Sequence, residues 1–446
     1  MSPPLTCIRR VSLALVTSAM LIGALLWVRW GTFHGGNWVD FDVYQGGGLA
    51  ILHGESLYDI RVNSLPFTYP PFAAALFTLL SVVPIEVARW LFTAGSLTCY
   101  LAIVLVSARS ARIGWLQAAM VGAAGMTLEP FFTNIDLGQI DLYLILMVVL
   151  DCLLVPARHR GWLVGLAAGI KIIPGAFVLY FVLKRDWFAV GRALASFAVA
   201  VGCGALLAPG DSWRYWSGGF MDLSRFGDGV ALRGDNQSFP AELIRLSRGV
   251  VPPQMIVIAL SALVLFVAVL VAKRLLEAKR PLDAVVALGL GSILASPISW
   301  THHWLWVVPL LVVTVSRLWW ITSWVIGTVF LVGPMVLVPM GHSQELKHNW
   351  WQATLGASYV LVGIGMLIRL LLIQPGVTTA ATFENGWFQL RRTVRSIGRI
   401  RNGQKVATEP EPESTVEAVG DRAEDRSALG MRRCNLWRSH GRKDMW

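Results

Sequence analysis

The sequence predicts an all-α fold, a polytopic transmembrane helical bundle with juxtamembrane helices in its first outer loop, and three observations carry the prediction. Hydrophobic residues are 55% of the 446 and charged ones 15%, with a mean hydropathy of +0.58, a balance that water-soluble domains of this length do not reach. Apolar runs of roughly 20 residues, enough to cross about 30 Å of hydrocarbon, recur as far as residue 373. The basic residues behind the net charge of +11 gather in short loops and in the C-terminal segment, which is a cytoplasmic-face bias and argues against a nucleic-acid partner.

The elements follow in chain order. Arg9 and Arg10 precede an apolar run over 11–30 that lacks a small-x-small cleavage site after it, so it reads as an uncleaved signal anchor. With those arginines cytoplasmic, residues 31–85 emerge on the outer face, acid-rich with Asp40, Asp42, Glu55 and Asp59 against Arg61. The apolar stretch 72–84 is short and follows Pro70 and Pro71; as a full span it would put Arg109 and Arg112 outside. It therefore reads as a juxtamembrane or half-embedded helix, and 86–107 becomes the next span. Spans over 115–129 and 139–155 come next, then the run 161–187, where Lys171 and Pro174 fall mid-run. A broken helical hairpin accounts for them, a single tilted span being the other reading. Spans over 188–208, 254–272, 283–298, 303–316, 318–339 and 351–373 bring the count to about 11 to 12 spans or half-spans.

This arrangement leaves Lys273, Arg274, Lys279, Arg280 and Arg317 cytoplasmic and five polar segments outside: 31–85, 129–138, 209–253, 296–303 and 341–350. It divides the chain into a membrane domain, 1–375, and a cytoplasmic tail, 376–446, whose Arg-rich blocks and TEPEPES stretch predict disorder. The five cysteines are scattered, without metal-ligand spacing or a paired framework, and no nucleotide-binding glycine loop is present. No metal and no cofactor are expected.

Chemistry facing outward must come from the five polar segments and any charge inside the membrane. Asp40 and Asp42 lie at a span exit, where desolvation raises a carboxylate pKa and fits it to accept a hydroxyl proton; solvated rim acids are the plainer reading. FTYPPF (67–72) puts Tyr69 at the interface, as anchor or ligand contact. EPFFTNIDLGQIDLY (129–143) supplies Asn134, Asp136 and Gln139, donors and acceptors that suit sugar hydroxyls and equally suit helix caps. Lys171 is a costly intramembrane charge, predicting a phosphate contact or a structural ion pair. SPISWTHHW (296–304) sets His302 and His303 at the mouth of a span among tryptophans. The long segment 209–253 offers Arg225 and Arg233 for a phosphate or head group, and Asn236 and Gln237 as amides for carbohydrate.

Taken in order, DFDVY (40–44), TYPPF (68–72), DLGQIDLYL (136–144), GLAAGIKIIP (165–174), DNQSF (235–239) and SPISWTHHW (296–304) resemble the pattern of glycosyltransferase family 87, polytopic enzymes of C-type fold. The resemblance implies an actinobacterial α-1,2-mannosyltransferase. The donor would be polyprenyl-phosphate β-mannose, used at the outer face of the plasma membrane, and the acceptor a phosphatidylinositol mannoside or, alternatively, lipomannan or lipoarabinomannan. It also implies that Asp40, the first acid of the D-x-x-V-Y pattern, is the catalytic aspartate, with Asp42 at a variable position and the family histidine falling on the His302/His303 pair. A flippase for a lipid-linked sugar, or a sister enzyme using polyprenyl-phosphate arabinose or glucose, would share many of these features; the paired repeats with midplane sites that mark a transporter are not evident.

Overall fold

The computed structural model describes residues 37–222, 229, 232–250 and 254–373. The expected anchor over 11–30, the tail 376–446 and Arg225 lie outside the described residues.

The first described helix, α1 (Val39–His53), starts after Trp38 in a left-handed turn and ends at Gly54, whose φ of 71° closes the last turn as only glycine does freely. Its GGG run is a packing device. A Cβ on Gly48 would sit 2.5 Å from the carbonyl oxygen of Phe77, so glycine lets the next helix lie directly on α1. That next helix, α2 (Pro71–Phe77), begins at a proline and runs on as a 3-10 turn over Thr78–Ser81. Between them Arg61–Val62 and Leu65–Pro66 form a two-residue antiparallel ladder, β1 with β2. The stretch after Pro70 is thus a short helix against α1, as its length and prolines predict.

Three helices among the described residues are long and apolar enough to cross a membrane. They are α3 (Ile85–Ala111), of 27 residues or about 40 Å, with α9 (Trp187–Leu207) and α12 (Gln254–Glu277). The pair α16 (Trp350–Gly356) and α17 (Ser358–Leu371), bent by 71°, is together long and apolar enough for a broken span or a re-entrant segment. The remaining expected spans are shorter apolar helices: α4 (Trp115–Gly125), α6 (Asp141–Leu153), α13 (Pro281–Ala295), α14 (Val307–Ser316) entered through a 3-10 turn over Thr301–Trp306, and α15 (Trp320–Val332). In α13 every residue from Leu282 to Leu294 is buried, which explains a helix apolar on all sides: it is walled by neighbours, α12, α14 and α17 among them. The chain is a multi-pass, helical membrane protein.

Two regions are more structured than polar composition suggests. Residues 129–138 form α5 (Glu129–Leu137), whose Glu129 accepts from Tyr359 of α17 at 2.8 Å and from Thr133 at 2.7 Å. Within 209–253 lie α10 (Pro209–Trp216) and α11 (Phe239–Leu246). The run 161–187 breaks as expected. Helix α7 (Trp162–Ile170) ends at Lys171, which is extended; a 3-10 turn over Ile173–Phe177 follows, then α8 (Val178–Leu183). The chain reverses there, since a Cβ on Gly175 would lie 3.5 Å from that of Ala168 and Lys184 returns within electrostatic reach of Arg160. Asp151 of α6 secures the entry, accepting from the Gly161 and Val164 amides at 2.8 Å each in place of a local cap.

Candidate active site

Four pieces of the fold meet at one cleft: the first turn of α1, the α5–α6 junction, the break after α7 and the Thr301–Trp306 turn. Asp40 projects from the first of these. Its Oδ2 accepts from Gln139 Nε2 at 2.6 Å. The amide oxygen of the same Gln139 accepts from the Tyr44 hydroxyl at 2.7 Å and the Tyr69 hydroxyl at 3.3 Å, and the two phenols lie 2.8 Å apart. With two phenols on its carbonyl, the amide has one orientation, its NH2 toward Asp40. Burial pushes the Asp40 carboxyl up to about 6, opposed by the Gln139 hydrogen bond and the Lys171 ammonium.

Gln139 reaches this point because Gly138 ends α5 at φ 69°, and a Cβ there would lie 2.7 Å from that of Phe41. Asp42, two residues along α1, is turned away: Arg89 Nη2 holds both its oxygens, at 2.7 and 3.0 Å, tying α1 to α3. The two acids that look alike in sequence are a half-buried carboxyl held by Gln139 near the Lys171 cluster and a structural ion pair.

The second cluster is centred on Lys171, at the C-terminal end of α7. Its ammonium donates to Asp141 Oδ1 at 2.7 Å and to His303 Nε2 at 3.0 Å, and lies 5.6 Å from the centre of the Tyr69 ring. An ammonium only donates, so His303 accepts through Nε2 and carries its proton on Nδ1. Asp141, Lys171, His303, Pro174, Phe177 and Trp306 are among the residues lining one partly open pocket. Among the described residues, Asp141, His302 and His303 are one group spaced for a metal, their atoms within 4.8 Å of one another. A metal ion bound there would sit beside the ammonium that holds the same carboxylate, an unfavourable pairing of like charges.

Of the residues expected from sequence, Asp40, Tyr69, Gln139, Lys171, His302 and His303 come together here. The others are placed elsewhere or in the scaffold. Asp136 receives the Asn37 and Trp38 amides, at 3.3 Å on its side chain and 2.8 Å on its carbonyl, docking the entry to α1. Asn134 is fully buried in α5, its side-chain amide without a hydrogen-bond partner while its carbonyl accepts from the Gln139 amide at 2.9 Å. Asn236 and Gln237 are fully buried: Asn236 grips Pro297 and Ser299, and Gln237 the backbone of Gly234, Gly356 and Tyr359. Arg233 pairs with Asp235 over the Trp300 ring. Sequence reasoning passed over Tyr44 and Asp141. Both left a signal: Tyr44 lies four residues after Asp40, on the same helical face, and Asp141 and Lys171 are opposite charges in apolar runs, which seek each other.

A helical membrane bundle that sets a half-buried carboxyl near an ammonium is consistent with a polytopic membrane glycosyltransferase, the class to which the family match assigns the chain. Residues 67–299 match glycosyltransferase family 87. The chain is 35% identical over 380 residues, 77% of its length and 87% of the relative's, to the polyprenol-phosphate-mannose-dependent α-(1-2)-phosphatidylinositol mannoside mannosyltransferase of Mycobacterium tuberculosis. It is 33% identical over 403 residues to the protein of the same description from Mycolicibacterium smegmatis, covering 81% of this chain and 90% of that one. A second Mycolicibacterium smegmatis protein, a polyprenol-phosphate-mannose-dependent α-(1-2)-phosphatidylinositol pentamannoside mannosyltransferase, is 31% identical over 360 residues, 75% of this chain and 85% of its own. The chain belongs to glycosyltransferase family 87. No solved structure matches it.

Proposed function

We propose that the chain transfers mannose from polyprenyl-phosphate β-mannose to the 2-hydroxyl of a mannosylated phosphatidylinositol, inverting to an α-1,2 linkage, on the outer face of the plasma membrane. The observation that carries this reading is the Asp40 carboxylate, aimed into the cleft by Gln139 opposite the Lys171 cluster. Family membership and the descriptions of the mycobacterial relatives support the donor and the acceptor class.

In this mechanism Asp40 takes the proton of the acceptor 2-hydroxyl as that oxygen attacks the anomeric carbon. The polyprenyl phosphate leaves from the opposite face, its growing charge stabilised by Lys171 and His303. Gln139, Tyr44 and Tyr69 position the base. Lipid anchoring of both substrates accounts for a site at the bundle's end rather than on a soluble domain. The loop charges support an outer active site and a cytoplasmic 376–446 tail.

The test is an assay in membranes supplied with polyprenyl-phosphate mannose and acceptors of increasing mannose number, lipomannan included. Wild type is expected to form an α-1,2-linked product with a phosphatidylinositol mannoside and Asp40→Asn none. Full turnover by Asp40→Asn overturns the assignment of the base, and translocation of lipid-linked sugar without transfer overturns the enzyme reading.

A further inference from the structure

The histidine pair is split by its partners. His303 is committed to Lys171 through Nε2. Three buried atoms of the group have no hydrogen-bond partner in the protein: His303 Nδ1, and His302 Nε2 with Asp141 Oδ2, which lie 4.0 Å apart; His303 Nε2, 3.9 Å from the same Oδ2, is engaged by Lys171. His302 and Asp141 are more than nine-tenths buried, at 5% and 7% exposure, so bulk water does not satisfy them. Asp141 Oδ1 is already neutralised by the Lys171 ammonium, and Oδ2 is a pure acceptor on a residue that lines the same pocket as Lys171 and His303.

The spacing selects what fits between them. Two hydrogen bonds of about 2.8 Å span the 4.0 Å gap at an angle of about 90° around a shared oxygen, an ordinary geometry for a hydroxyl that donates to one side and accepts on the other. A zinc ion at about 2.0–2.1 Å from both atoms would need an almost linear arrangement in place of the tetrahedral one it prefers. A phosphate oxygen meets His302 well but opposes a second acceptor, the Asp141 carboxylate. We propose that Asp141 Oδ2 and His302 Nε2 form a two-point site for one mannosyl hydroxyl, separate from the Lys171 and His303 pair that faces the phosphate. This deepens the transfer reading above and rests on it for the identity of the sugar. Donor and acceptor both end in mannose, and the hydroxyl belongs to one of them.

The experiment measures binding to the full-length protein in lipid nanodiscs. The probes are short-chain polyprenyl-phosphate mannose, its monodeoxy-mannose derivatives, sugar-free polyprenyl phosphate, and a mannosylated phosphatidylinositol with the matching deoxy set. Wild type is expected to bind one deoxy derivative at least about tenfold more weakly than its parent, the loss that goes with leaving a buried carboxylate unpaired. In His302→Ala the parent's affinity falls about as far, discrimination against that derivative disappears, and sugar-free polyprenyl phosphate binds as before; Asp141→Asn, which also frees Lys171, is read for the loss of discrimination alone. Discrimination within the donor set places the hydroxyl on the donor, and within the acceptor set on the acceptor. His302→Ala leaves the Lys171–Asp141 pair intact and carries the test if Asp141→Asn fails to fold. Equal loss of sugar-free polyprenyl phosphate makes the pair a phosphate contact and overturns the proposal; so does the absence of discrimination in either set, which leaves it holding a water only. If wild type discriminates but transfers mannose to no acceptor, the transfer reading fails while the hydroxyl site stands.

Discussion

Asp40 and Asp42 show what separates a carboxylate proposed as a base from a structural one: the partner, not the residue type. Asp42 faces a guanidinium and Asp40 an amide whose orientation two phenols dictate. Charging Asp40 works against burial, so fold stability falls as the pH rises from about 3.8 to about 6, the mark of a group kept for chemistry. Since the base acts when unprotonated, kcat/KM should fall tenfold per pH unit below about pH 6 and level off above it; a profile flat down to pH 4.5 removes Asp40 from the role of base. Gln139→Leu deletes a hydrogen bond that favours the charged form, and the acidic limb should move to higher pH with a loss of about tenfold or more in kcat. Lys171, Asp141, Tyr44 and Tyr69 also face this carboxyl; the variant leaves the Lys171–Asp141 pair in place and deprives the two phenols of their shared acceptor. Asp40→Asn should cost at least 10²-fold in turnover, whereas Asp42→Asn should lower thermal stability and keep the pH profile. Sequence alone left the two acids equivalent; the family pattern separated them, and Arg89, 47 residues away, gives the physical reason.

At the scale of elements, the hairpin over 161–187 was legible because a lysine and a proline inside an apolar run have few places to go. Helix α5 was not, because Asn, Asp, Thr and Pro in 129–138 fit a polar loop as well as a short amphipathic helix, and its closure depends on Gly138 meeting Phe41. Gly138→Ala should cost about 1–2 kcal/mol for the left-handed turn, with more from the 2.7 Å contact, and should lower kcat by moving Gln139 off Asp40; unchanged melting temperature and turnover would show that the junction tolerates a side chain. The Lys171–Asp141 pair gives the complementary case. Lys171→Met strands a buried carboxylate and should destabilise by about 3–5 kcal/mol. Adding Asp141→Asn should restore the melting temperature, isolating the fold's need for neutrality, and leave mannosyl transfer low, since the double variant lacks both the cation and the proposed Asp141 hydroxyl contact. Recovery of both together would make the pair purely structural.

For the molecule as a whole, the question is whether loop charge and three-dimensional contact agree. The five segments assigned to one face by counting charges touch one another. Asp211 accepts from Ser56 and Leu57, Trp38 donates to Asp136, Asn236 bonds Ser299, and Glu345 accepts from Gly234. At the other end Arg317 pairs with Asp283, and Arg160 approaches Lys184, as expected of segments assigned to the cytoplasm. The sequence therefore contained the sorting of segments between two ends. It held less about span length: α4, α6 and α13 are 11, 13 and 15 residues long, shorter than a bilayer requires, because their neighbours and not lipid enclose much of them. Contacts sort the ends but carry no label for outside, and that is open to direct measurement. In a background with all five cysteines replaced, Ser217→Cys, exposed just after α10, should react in intact cells with a membrane-impermeant maleimide, and Arg158→Cys, exposed after α6, only after permeabilisation. Reversed labelling would turn the cleft toward the cytoplasm. Asp40 would then face the wrong side for an externally presented donor, because Ser56, Leu57 and Asp211 lock the segment following α1 to the same end as α10.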